Sequence, residues 1–316
     1  MSDGTRPARR SVMARRILTY AFAAAAVAGL AIAVYSQRGA FEQGLTRLGW
    51  GPALLAVPGA LIAIVVSALA WRGAMGAVGA KLGVGLALRV YFLSGLGKYI
   101  PGSVWPVVAQ MEMVRSVGVA RPVSAAGSIL AMAAGVVTSS GVASACGFSL
   151  GAKTLETYWW AALVIPLGLV GISPPVIRRL SRVAARVLRR PSLALPHVSW
   201  RGLGICLAWS TATWLAYGIH AWVLLHALGA QNLSFPSAVG AFALAWLIGF
   251  LVVIAPAGAG AREAALVVAL SGMVSVADAL VFAVVSRAIL TLIDAALGAV
   301  GAWTARRPAP SFRFGG

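Results

Sequence analysis

Lys98 stands in the run Gly97-Lys98-Tyr99-Ile100-Pro101-Gly102-Ser103-Val104-Trp105, and Arg262-Glu263 closes the run Ala255-Pro256-Ala257-Gly258-Ala259-Gly260-Ala261-Arg262-Glu263. Both runs interrupt stretches that are otherwise apolar enough for lipid. In hydrocarbon, a broken backbone or an ionised side chain is tolerated only against protein or a water-filled cavity. Each run therefore marks a polar site at membrane depth, and the chemistry on offer is anion binding. In the first, Lys98 supplies an ammonium. Ser103, Val104 and Trp105 follow Pro101-Gly102 and open a second arm whose first backbone N–H groups form a natural anion site. With Tyr99 they make up the first candidate set. In the second, Gly258 and Gly260 permit close backbone approach, and a helix starting behind them favours phosphate. Arg262 adds a planar donor fork suited to phosphate oxygens, with Glu263 as its positioning partner.

Bland readings stand beside these. Lys98 can instead snorkel to an interface or pair with Glu112 across its hairpin. Glu263 can form a structural ion pair with Arg287 on the last span. Arg287 and Asp294 are seven residues apart and share one face of that helix, which must point into the bundle because opposite charges within a span are costly in lipid. Pairing of these two with Glu263 and Lys98, or with each other, stays open. Asp278, near a span end, reads as solvated or capping. His220 and His226 are six apart, do not share a face and have no cysteine or carboxylate cluster nearby, so no metal and no cofactor is expected. His-Glu-x-x-His and a Gly-Lys-Ser/Thr phosphate loop are both missing. The chain is not expected to be an enzyme, and its seven carboxylates are too few for a proton-driven acidic relay.

The elements that hold these residues follow from composition. The chain has 316 residues, 60% hydrophobic and 10% charged, whereas soluble domains carry about a quarter charged residues. It reads as an all-α polytopic membrane protein. Candidate spans are 17–36, 52–71, 122–149, 156–176, 202–228 and 276–303, about six full transmembrane helices. Two further apolar units, about 86–114 and 237–273, are broken near their middles by the two runs above.

The net charge of +19 does not point to nucleic acid, because the arginines gather at segment ends. Arg6, Arg9, Arg10, Arg15 and Arg16 precede the first span, and Arg178, Arg179, Arg182, Arg186, Arg189 and Arg190 share one loop. Cytoplasmic loops have that character, and such clusters suit anionic headgroups. All of these clusters face the cytoplasm only if 86–114 and 237–273 enter the membrane and return, one from each side. The expected layout is a basic cytoplasmic tail at 1–16, a single transmembrane helical domain at 17–303, and a cytoplasmic tail at 304–316. Cys146 and Cys206 then lie toward opposite leaflets and cannot pair. Two broken re-entrant hairpins of opposite sense are the pattern of an inverted repeat, with the site where the two tips meet.

The run from Leu96 to Trp105, together with Pro256-Ala257-Gly258-Ala259-Gly260-Ala261-Arg262-Glu263-Ala264, resembles the lysylphosphatidylglycerol synthase transmembrane family of flippase-like membrane domains. The resemblance extends over about 15–305. It implies a lipid translocase-like protein of the cell membrane, with two hairpins and a central cavity for a phospholipid or polyprenyl-phosphate-linked headgroup. Full-length aminoacyl-phospholipid synthases add a soluble transferase after this region, so a stand-alone member is not expected to synthesise the lipid. The leading expectation is an integral membrane lipid translocase. A membrane component of polyprenyl-phosphate-dependent glycosyl transfer, with Glu263 or Asp294 as base, is the alternative, as is a scaffold for a separately encoded lipid-modifying enzyme. A homodimer fits any of these. The abundance of Ala, Gly and Arg points to a GC-rich bacterial genome.

Overall fold

A computed structural model of the chain describes Tyr35 and residues 38–99, 104–150, 152–193, 195, 198–252, 258 and 260–305. Among the described residues the regular elements are helices, with an isolated bridge between Ser271 and Val274 besides. In chain order the helices are α1 (Arg38–Leu48), α2 (Trp50–Ala77), α3 (Val84–Gly95), α4 (Trp105–Arg115), α5 (Arg121–Ala145), α6 (Gly147–Leu150), α7 (Ala152–Tyr158), α8 (Ala161–Gly171), α9 (Pro174–Val187), α10 (Trp200–Ala227), α11 (Phe235–Leu251), α12 (Ala261–Ala269) and α13 (Val276–Ala305). A 3₁₀ turn, Leu96–Tyr99, extends α3.

Helices α2, α5, α10 and α13 are each long and apolar enough to cross a membrane. The expected span at 17–36 lies outside the described residues save for Tyr35. The expected span at 156–176 is not one straight helix. It breaks at Ile172–Ser173, and the segments Glu156–Gly171 and Pro174–Val187 meet at 68°. Pro174 and Pro175 explain the break, since neither has an N–H to continue the ladder and a proline pushes the residue before it into extended backbone. Ser173 has ψ 143° accordingly.

The two broken units fold as helix pairs. Helices α3 and α4, of 12 and 11 residues, are each about 17 Å long, well short of a bilayer core of about 30 Å. They pack on one another. Gln110 Nε2 donates to Ser94 Oγ at 3.1 Å, and Gly97 lies so close to the Trp105–Pro106 backbone that a Cβ there would stand 3.0 Å from Pro106 N. The second pair is less even. Helix α11 has 17 residues and α12 only nine. Gly258 has φ +71° and presses on Gly249, where a Cβ would come within 2.7 Å of Gly249 Cα. An L side chain tolerates neither the dihedral nor the contact.

The two halves repeat one plan. Helix α2, the α3/α4 pair and α5 recur in the same order as α10, the α11/α12 pair and α13. Helices α2 and α10 both have 28 residues, running from Trp50 to Ala77 and from Trp200 to Ala227, an offset of 150. Their ends close identically. Gly79 (φ +92°) and Gly229 (φ +96°) turn the chain, while Ala80 N reaches Met75 O at 2.8 Å and Ala230 N reaches Leu225 O at 3.1 Å. Left-handed glycines also follow α4 and α12, Gly118 (φ +84°) and Gly272 (φ +83°). Helices α2 and α10 cross antiparallel: Gly59 abuts His220, Gly73 abuts Cys206 and Gly202 abuts Ala77. Correspondingly, α3 packs on α13 of the other half and α11 on α5. The two halves thus share one element order and meet along the antiparallel α2/α10 seam.

Candidate functional site

Between the halves lies a cavity of about 350 Å³, within the range that holds a small ligand or headgroup. Of the candidate residues, Lys98, Tyr99, Gly258, Arg262, Arg287 and Asp294 line it. The structure thus brings the 3₁₀ turn of the first pair and the start of α12 to one chamber. Trp105, 45% exposed, Gly260 and Glu263 are not among its lining residues. Pro101, Gly102 and Ser103 lie outside the described residues.

Helix α13 organises the charges. Asp294 accepts from Lys98 Nζ at 2.6 Å and from Tyr99 Oη at 2.6 Å. Two turns earlier, Arg287 Nη1 donates to Glu263 Oε1 at 2.6 Å. Thr291, between them, accepts from Tyr99 Oη at 3.3 Å and donates to Arg287 O. The shared face of Arg287 and Asp294 therefore fastens one charge from each broken unit rather than closing on itself. This decides the open pairings. Lys98 does not pair with Glu112, whose carboxylate takes Arg121 at 2.6 Å and Arg115 at 3.8 Å. Glu112 sits near the end of α4, too far along that arm for a side chain at the break to reach.

The α12 N-terminus differs from expectation. Gly260 N donates to Glu263 Oε2 at 2.6 Å, so the first turn caps itself with its own carboxylate. A side-chain donor that this cap leaves for a ligand is Arg262. Its guanidinium lies 4.6 Å over the Phe242 ring. Among the described residues it makes no hydrogen bond and has no carboxylate within ion-pair distance. The aromatic face covers one side of the planar cation and leaves its N–H edge unspent.

Asp278 is neither solvated nor a simple cap. It is 8% exposed, takes Ser275 Oγ at 2.7 Å and faces Arg47 at 3.5 Å, tying α1 to the start of α13. His220 is fully buried, with its ring nitrogens on Ala56 O at 3.0 Å and Ser286 Oγ at 2.9 Å. It joins α10 to both α2 and α13.

The walls of the cavity were largely invisible in the sequence. Trp71, Tyr91, Trp214, Tyr217, Phe242 and Trp246 line it, yet each is an aromatic residue within a helix and carries no local mark of a cavity. A polar seam runs beside them: Trp71 Nε1 donates to Ser128 Oγ at 3.2 Å and Ser128 Oγ to Gln110 Oε1 at 2.6 Å. Gln110, a polar residue within an apolar arm, was the one available signal for it.

A family model described as "Lysylphosphatidylglycerol synthase TM region" matches residues 11–298. No curated protein matches the chain.

Proposed function

Because the chain belongs to the lysylphosphatidylglycerol synthase transmembrane family, an integral membrane family related to lipid handling, we propose that it moves a lipid headgroup across the bilayer through the cavity between its two repeats. One observation carries this reading. The broken units of opposite halves deliver Lys98 and Arg262 to a single chamber whose other charges are fixed by α13. An anionic headgroup would sit there while the acyl or prenyl chains stay in hydrocarbon. Rocking of one repeat about the α2/α10 seam would expose the chamber to each side in turn. In this reading α3/α4 and α11/α12 are re-entrant hairpins that enter from opposite faces, and both termini are on the cytoplasmic side of the cell membrane.

Helix α9 supports the orientation. Its arginines 178, 179, 182 and 186 lie on one face, and Leu180, Val183 and Val187 form an adjoining exposed apolar stripe. A basic amphipathic helix bent away from the preceding span suits the anionic inner leaflet.

The glycosyl-transfer alternative needs a carboxylate available as a base. Glu263 and Asp294 each already accept two close hydrogen bonds, every one of them involving a cation or a backbone cap except that from Tyr99. The geometry therefore favours translocation, without catalysis by this chain. A homodimer or a separately encoded lipid-modifying enzyme as partner is compatible with it.

Reconstituted liposomes carrying a labelled phospholipid or polyprenyl-phosphate lipid test the proposal. Lys98→Ala and Arg262→Ala are expected to abolish headgroup movement while the protein stays folded by circular dichroism. Wild-type transport by both variants removes these residues from the mechanism.

A further inference from the structure

The cavity carries a charge imbalance that names the class of headgroup. Three cations line it, Lys98, Arg262 and Arg287, against one lining carboxylate, Asp294, and a second, Glu263, that stands behind Arg287 as its partner. Lys98 is matched by Asp294 and Arg287 by Glu263, each at 2.6 Å. Arg262 has no such partner among the described residues. The other described carboxylates are committed or remote: Asp278 faces Arg47, Glu112 faces Arg121, and Glu42 and Glu156 are exposed. One positive charge is therefore in excess at membrane depth, where an uncompensated ion is expensive.

We infer that the cavity is built for a headgroup bearing a single negative charge, a phosphodiester held edge-on by Arg262, and that it discriminates against diphosphates. The inference rests on reading the chamber as a headgroup site. A phosphodiester brings the chamber to neutrality and supplies two unesterified oxygens, which match the two parallel donors on a guanidinium edge. A diphosphate brings surplus negative charge. To use it, the site would have to pull Lys98 from Asp294 and leave that carboxylate with Tyr99 alone. The cost of stranding a buried charge is what confers the preference. Two lipid sources share the favoured chemistry, an anionic glycerophospholipid and a polyprenyl phosphosugar.

Native mass spectrometry of the full chain in detergent, titrated with defined lipids, tests this. The lipids are phosphatidylglycerol, a polyprenyl phosphohexose, a polyprenyl diphosphate and the zwitterion phosphatidylcholine. At least one of the two single-charge lipids is expected to bind about ten-fold more tightly than the diphosphate and the zwitterion, the scale of one charged hydrogen bond. The tighter of the pair identifies the source. Arg262→Gln is expected to erase that margin. Asp294→Asn adds a net positive charge and is expected to move the preference toward the diphosphate by about ten-fold. Should that variant fail to fold, Lys98→Gln gives the opposite sign, with weaker binding of every anionic lipid. Equal or tighter binding of the diphosphate by the wild-type chain overturns the inference, as does undiminished selectivity in Arg262→Gln. Binding is read here without transport, so a chain that selects single-charge lipids but moves none overturns translocation alone.

Discussion

Removing the charge of Glu263 should loosen α12 before it disturbs anything else. The Glu263 side chain is 5% exposed and its partner Arg287 31% exposed. Stranding one member of a fully buried pair costs about 3–5 kcal/mol. Arg287 retains partial access to water, and a glutamine at 263 can still accept from Gly260 N. Both effects pull the expected cost of Glu263→Gln down to about 2 kcal/mol, or about 30-fold in an opening equilibrium. The change belongs to the start of α12, because Glu263 is the link between its first turn and α13. Amide hydrogen exchange in nanodiscs should show it as faster exchange over residues 260–269, with α2 and α10 unaffected. Arg287→Gln should resemble it, and the double variant should cost no more than either single change, giving a coupling of about 2 kcal/mol. Single effects that simply add, or a change of less than about three-fold in Glu263→Gln, would show that the pair does not hold the hairpin and that Arg262 is positioned by other means.

Gly258→Ala forces a left-handed L residue and a Cβ 2.7 Å from Gly249 Cα, which together should cost about 2–4 kcal/mol in thermal unfolding in detergent. Gly249→Ala, whose Cβ would meet Arg262 Cβ at 3.1 Å, should cost clearly less, and the reverse ranking would contradict the close crossing. A fluorophore on Val183→Cys in a cysteine-free background should be quenched by brominated acyl chains in nanodiscs rich in phosphatidylglycerol. Replacing Arg178, Arg179, Arg182 and Arg186 together by Gln should release it, since each arginine near an anionic surface contributes about 1 kcal/mol. Unchanged quenching would mean that α9 is held by protein contacts instead.

The sequence was most informative where it broke its own pattern. Lys98, Arg262, Glu263, Arg287 and Asp294 stand out because charge in an apolar stretch needs a reason, and the seven-residue spacing on α13 announced a shared face before any partner was known. The Pro/Gly runs located both breaks for the same reason. What could not be read was partnership. Whether Asp294 meets Lys98 or Arg287 depends on how α3 packs against α13, which no local spacing encodes. The aromatic walls were hidden because Trp214 or Phe242 looks the same facing lipid, core or cavity. The bend at Ser173 is marked by Pro174-Pro175 and not by hydropathy, since the apolar run continues across the two prolines to Ile177.

The repeat explains why the site is electrically lopsided. Two halves of the same element order, packed antiparallel along the α2/α10 seam, bring Lys98 and Arg262 of their broken units to one chamber. The seam and the turns behind it are closely matched, down to Gly79 and Gly229 with the same hydrogen bonds after them. The side chains at the tips are not matched. One half ends its α3 arm with Lys98, the other opens its α12 arm with Arg262, and only the second half supplies a charged last helix. Helix α13 carries Arg287 and Asp294, whereas the corresponding helix α5 has no ionisable side chain beyond Arg121 at its start. Symmetry of the backbone therefore sets the place of the chamber, and its loss at a few positions sets the charge. Anion selectivity should accordingly respond to substitutions on α13 and leave α5 nearly silent. An α5 variant such as Ala134→Ser that shifts lipid preference as strongly as Asp294→Asn would refute that division.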